Sequence, residues 1–179
     1  MDTKVDAFSS EGETVKFGVL RLEKAVFRCD VELSDAQFCD QAIFDGAKFH
    51  GEAIFDKATF HSHCRFIGCQ FFEGFSLHMS TVVGDCLLSR AIIRGGANLE
   101  QVKIGSAIWF EETNVKGSAN FRKLVVENVG FFNKVKIEGA ANFTSATFVG
   151  DASFEAATFG GVTRFTEVQF TGLAWFVNA

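Results

Sequence analysis

Large apolar residues recur along the chain with a fixed stride. Leu22, Leu33, Phe44, Phe55, Phe66, Leu77, Leu88, Leu99, Phe110, Phe121, Phe132, Phe143, Phe154, Phe165 and Phe176 follow one another at steps of eleven. A second series, Phe27, Phe38, Phe49, Phe60, Phe71, Val82, Ile93, Ile104, Val115, Val126, Ile137, Phe148, Phe159 and Phe170, keeps the same step and interleaves with the first at gaps of five and six. All 29 positions are Leu, Phe, Val or Ile, and they hold 18 of the 23 Phe. A repeat of this kind sets the architecture before any single residue is considered.

Two residues before each marked position lies a small one. Fourteen of these 29 sites are Ala and three are Cys. Residues two apart on an extended chain point to the same side, so bulky and small groups share one narrow interior. A third column, two residues after the second series, holds Gly51, Gly84, Gly95, Gly117, Gly139, Gly150, Gly161 and Gly172. Glycine tolerates positive φ, which predicts a bulged corner at the extra residue of each six-residue step. The chain has no Pro, as stacked coils that must all donate backbone N–H groups require. A right-handed helical supercoil also has an eleven-residue period, but Gly at every eleventh residue argues against helices. The pattern predicts an all-β solenoid.

Units such as AIFDG–AKFHG, AIFDK–ATFHS, ANFTS–ATFVG and ASFEA–ATFGG resemble the pentapeptide repeat family, from about Leu20 to the C-terminus. The resemblance implies a right-handed quadrilateral β-helix in which each unit forms one side of a square coil. One extra residue in every second unit makes the coil 22 residues instead of 20. Weaker units mark residues 75–87 and 108–137, where Phe75, Ile108 and Leu124 occupy small-residue sites. The outward column before the first series supports the square coil. Taken at spacing 22, one set is Ile43, Arg65, Leu87, Trp109, Phe131, Ser153 and Trp175. The other is Glu32, Ile54, Ser76, Asn98, Asn120, Asn142 and Arg164. Large apolar residues fall mainly in the first set, so successive eleven-residue units face different ways. Seven coils then form a rod about 34 Å long at about 4.8 Å per strand. Residues 17–179 are read as this array, and residues 1–16 as an irregular N-terminal cap or disordered lead with Phe8, Val15, Phe17 and Val19 as contacts.

Composition narrows the function classes. No stretch approaches the about 20 apolar residues of a membrane span, and the N-terminus lacks a signal-peptide order, so no membrane contact is expected of this segment. Five Cys without framework spacing favour a reduced, cytoplasmic chain. A net charge of −5 argues against direct nucleic-acid binding. His61, His63, Cys64 and Cys69 are clustered, but both Cys fall on core positions, so no metal or other cofactor is expected. Carboxylates such as Asp45, Asp56, Glu111 and Glu112 sit on outward columns of a convex rod without a cleft, and no nucleophile motif is present. The expectation is therefore no enzyme.

Two surface features remain. Leu87, Trp109, Phe131 and Trp175 form an outward apolar stripe, with Val83 and Ile92 as flanking candidates. Such a row is either surface variation or a face for a protein partner or self-association. Residues 28–57 are rich in acids. Some members of the family mimic duplex DNA, bind type II topoisomerases such as gyrase and relieve quinolone inhibition, so the resemblance implies that function as the alternative. The leading expectation is a non-catalytic scaffold for protein contacts.

Overall fold

The computed structural model describes residues 14–179. Within them, strands of two residues follow one another from β1 (Lys16–Phe17) to β30 (Ala174–Trp175), with no helix among the described residues. Each strand pairs in parallel with the fourth strand before it and the fourth after it, which generates four sheets. Sheet 1 begins with β1, sheet 2 with β2 (Leu20–Arg21), sheet 3 with β3 (Val26–Phe27) and sheet 4 with β4 (Val31–Glu32). Cys64, for example, pairs with Ala42 below and Cys86 above. The coil is thus the 22-residue square one. The first step is shorter, with Phe17 opposite Phe38, and the two rings stack at 5.1 Å. Phe17 therefore belongs to the core ladder as its first ring. Phe8 lies outside the described residues.

Backbone polarity alternates around the tube. In sheet 2 the N–H groups point to the following coil, as in Phe44 N to Arg65 O at 2.8 Å. In sheet 3 they point to the preceding one, as in Lys48 N to Ala25 O at 2.8 Å. Adjacent sides thus oppose one another's dipoles and leave little net field along the rod.

The two corner types differ from the sequence expectation. Positive φ occurs two residues after the first series, at Gly46 (69°), Gly68 (64°) and thirteen non-glycine residues such as Lys57 (56°) and Lys134 (54°). There Ala47 N donates to Phe44 O at 2.8 Å, closing a four-residue turn with positive φ at its third position, the arrangement of a type II turn. Gly51, Gly84, Gly95, Gly117, Gly139, Gly150, Gly161 and Gly172 lie at the other corner and none has positive φ. Their cause is close approach. A Cβ on Gly95 would lie 2.6 Å from Glu73 O, and one on Gly161 2.6 Å from Gly139 O. Each glycine lets one coil sit directly on the corner below.

The interior is a column of rings. Phe44 stacks on Phe66 at 5.0 Å, Phe49 on Phe71 at 4.9 Å, Phe38 on Phe60 at 4.4 Å, Phe121 on Phe143 at 4.5 Å and Phe132 on Phe154 at 5.0 Å. Rings on opposite sides meet edge to face instead, as Phe132 does with Phe121 and Phe143 at 83–87°. Both geometries suit the aromatic quadrupole, and the stacked spacing is the strand spacing itself. Phe44, Phe49, Phe55, Phe60, Phe66, Phe71, Phe110, Phe121, Phe132, Phe143, Phe148 and Phe154 are fully buried. Phe159, Phe165 and Phe170 are only partly buried, since fewer described coils cover them.

Where the small column carries a polar residue, it bonds to the backbone inside the tube. Ser80 Oγ donates to Phe55 O at 2.6 Å, Thr113 Oγ1 to Leu88 O at 2.8 Å and Cys69 Sγ to Phe44 O at 2.9 Å. Each buried donor is satisfied without widening the ladder.

Candidate protein-contact face

Sheet 2 turns one column of side chains outward: Arg21, Ile43, Arg65, Leu87, Trp109, Phe131, Ser153 and Trp175, in register one coil apart. Their inward neighbours Cys64, Cys86, Ile108 and Gly130 are buried. Leu87, Trp109 and Phe131 are half-buried and contiguous, and the Trp109 and Phe131 rings lie 4.3 Å apart at 30°. Gly130 lies beside Phe131 because the interior beneath is full. A Cβ there would meet the Phe148 ring at 2.9 Å.

The stripe is shorter than the sequence suggests. Trp175 is 39% exposed and separated from Phe131 by Ser153, so it stands apart from the other three. Below Leu87 the row changes character at Arg65, whose guanidinium is paired with Asp45 at 2.5 Å. Val83 follows the sheet 1 strand Thr81–Val82, and Ile92 lies in the sheet 3 strand Ile92–Ile93, so both belong to the adjoining faces. The indole Nε1 of Trp109 is covered yet donates to nothing among the described residues. A covered donor without a partner costs about 1–3 kcal/mol.

The groups considered for chemistry are placed as staples. Asp45 Oδ1 accepts from Ile67 N at 3.1 Å, Asp56 Oδ1 from His78 N at 3.0 Å and Asp85 Oδ1 from Ala107 N at 3.0 Å, each a bond to the next coil. Glu112 accepts from Arg90 at 3.1 Å beside a cavity of about 280 Å³ that also holds Glu111, Asn133 and Glu155. Glu100 is pushed up by burial, but hydrogen bonds from Arg122 and Asn120 outweigh this and leave its carboxyl below its ordinary value. His63 Nδ1 accepts from Asp85 N at 2.9 Å, while His61 is exposed. Cys64, Cys69 and Cys86 are buried, and burial raises the Cys69 thiol to about 12 and holds Cys64 well above its ordinary value. Among the described residues no three His, Cys, Asp or Glu are grouped to hold a metal ion. No described helix is long and apolar enough to cross a membrane.

The sequence reading missed one surface. Sheet 3 presents Lys48 and Lys136 on its strands and Arg28, Arg94 and Lys116 on the column beside them, all exposed. These cations are far apart along the chain, and only sorting both columns at spacing 22 brings them together.

The chain matches the family described as pentapeptide repeats (9 copies), over residues 17–59, 44–92 and 132–179. It is a pentapeptide repeat protein. Comparison with curated proteins and with solved structures returns no match. The stretch between the matched segments, residues 93–131, holds aliphatic units such as Leu99 and Ile104, yet its strands continue all four ladders without a break.

Proposed function

We propose that this chain is a non-catalytic, rigid scaffold whose rod presents a protein-contact face at Leu87, Trp109 and Phe131. The observation that carries the reading is the stacked, half-buried Trp109–Phe131 pair, which with Leu87 forms a contiguous apolar run on an outward column bounded by Arg65 and Ser153. Trp is the residue type most enriched at contact hot spots, and a contiguous apolar row rimmed by polar groups marks a partner surface. The rim carries an excess of acids, with Asp85 and Asp151 on one corner and Glu111, Glu112 and Glu155 against Arg90 and Lys134 on the other. Two copies meeting through this same face would set carboxylates against carboxylates. The contact therefore suits a partner with basic groups around an apolar centre.

The test is chemical cross-linking in the source cells with the native chain and with Trp109→Ser/Phe131→Ser. A specific cross-linked partner that disappears in the double variant, while the melting temperature stays within a few degrees, supports the face. Unchanged cross-links in the variant remove it. The DNA-mimic alternative is disfavoured by the cationic sheet 3 face, since a duplex mimic needs acidic rows along its length. A supercoiling assay with gyrase decides it, with no effect expected at excess protein.

A further inference from the structure

We infer that the sheet 3 face is a docking strip for a short, extended, acidic peptide segment of a partner protein. Five cations stand on it, Arg28, Lys48, Arg94, Lys116 and Lys136, against one carboxylate, Glu138, in a chain whose net charge is −5. Glu138 is shared by Lys116 at 2.6 Å and Lys136 at 3.3 Å, so those two ammonium groups retain excess charge. The centre of the strip is apolar. Ile92 is 41% exposed, and next to it Phe72 is clasped between His50, stacked at 4.5 Å, and Arg94, 4.7 Å from the ring. This cation–aromatic clasp fixes Arg94 on the face while leaving its outer N–H groups free to donate.

The shape of the strip selects its occupant. Carboxylates stand on both corners, with Glu23, Asp45, Glu111 and Glu155 among Lys24, Arg90 and Lys134 on one side and Asp30, Glu52 and Glu73 on the other. The three residues that carry the face, Ile92 to Arg94, span about 7 Å, whereas phosphate rows across a major groove stand about 12 Å apart. A duplex would overhang onto those carboxylates. Single-stranded nucleic acid would lack its stacking platform, since both faces of Phe72 are occupied. A second copy is as broad as the strip and would bring its own corner acids against these. An extended peptide is narrow enough to lie between the corners. From the coil of Arg28 to that of Lys136 is five steps, about 24 Å, which about seven extended residues span. Acidic side chains at both ends and one aliphatic side chain over Ile92 would match the strip.

The probe is a fluorescein-labelled peptide of about seven residues, Glu and Asp with Leu at its centre, titrated against the intact chain at about 50 mM salt and followed by anisotropy. Binding should fall at least about tenfold in Arg94→Glu/Lys116→Glu. It should weaken with added salt and with Ser in place of the central Leu. Lys57→Glu/Lys103→Glu changes net charge equally but lies away from sheet 3, and should leave affinity within about twofold. Trp109→Ser/Phe131→Ser should also leave it unchanged, because the strip and the aromatic stripe are separate surfaces. Equal loss in both charge-reversal variants would reduce the effect to net charge and overturn the inference. So would absence of peptide binding, tighter binding of a short DNA duplex, or a salt-sensitive rise in the protein's own mass that Arg94→Glu/Lys116→Glu abolishes.

Discussion

Around Phe44, Phe49, Phe55 and Phe60 the tube is filled by a ring at every main site and an alanine beside it: Ala42, Ala47, Ala53 and Ala58. Between residues 75 and 137 the same cross-section is filled by exchange. Leu77 is accompanied by Phe75, Ile104 by Val102, Val126 by Leu124 and Ile137 by Val135, while Phe132 is accompanied by Gly130. At these sites a smaller main residue goes with a larger neighbour, whereas Ile93 keeps Ala91, Leu99 keeps Ala97 and Phe110 is joined by Ile108, and the ladder spacing does not change. Phe75 sits under Ala97 and reaches the Phe66 and Phe71 rings at 5.1 and 4.6 Å. Interiors are packed to constant density, so the square coil constrains summed volume more tightly than it constrains residue type.

The largest expected effect is loss of a central ring. Phe132 meets Phe121, Phe143, Phe148 and Phe154, so Phe132→Ala should cost about 3–5 kcal/mol in chemical denaturation. Leu99→Ala, in the aliphatic region, should cost less, about 2–3 kcal/mol. Equal losses would mean that the rings add nothing beyond aliphatic burial. Next comes the exchange rule itself. Val126→Phe should destabilise by about 1–3 kcal/mol through overpacking, and adding Leu124→Ala should recover part of that loss. Additive losses in the double variant would break the comparison. Gly95→Ala should cost about 1–3 kcal/mol, because the new methyl must displace the backbone of Glu73. At the opposite corner type, Lys57→Gly should raise stability by up to about 1 kcal/mol by relieving its positive φ. The smallest effect is chemical: a thiol reagent should label Cys29 and Cys39 quickly in the native protein and all five thiols only after unfolding.

The raised thiols also give a pH dependence with a definite sign. Cys69 keeps its proton to about 12 in the folded chain but ionises near its ordinary value, about 8.5, when unfolded. Its contribution to stability is therefore complete below about pH 8.5 and falls as pH rises toward the folded value. Melting temperatures measured from pH 8 to 11 should decline less in Cys69→Ala than in the native chain.

The interior was legible because its two series and their small partners are strictly periodic, and each site has one physical demand. The corners were only half legible. Glycine marked one of them, but through close approach rather than positive φ. The positive-φ turns are held mainly by residues such as Lys57, Gln101 and Glu112, which carry no sequence signature of that conformation. The aromatic stripe could be seen along one column, although its break at Ser153 became plain only from the register. The cationic strip could not be seen as a charge run at all, since Arg28 and Lys136 are brought onto one face only by winding the chain.

Everything above depends on residues 22 apart being stacked neighbours and residues eleven apart lying on opposite sides of the tube. Nitroxide pairs test this directly, in a background with Cys29 and Cys39 replaced by Ser. Labels at Arg94→Cys and Lys116→Cys should show strong dipolar broadening, being one coil or about 4.8 Å apart along the rod. Labels at Lys116→Cys and Glu127→Cys should show none, because the packed interior separates them. Broadening in the second pair stronger than in the first would mean an eleven-residue, two-sided coil, whose second pair would be about 4.8 Å and first pair about 9.6 Å apart, and would contradict the account.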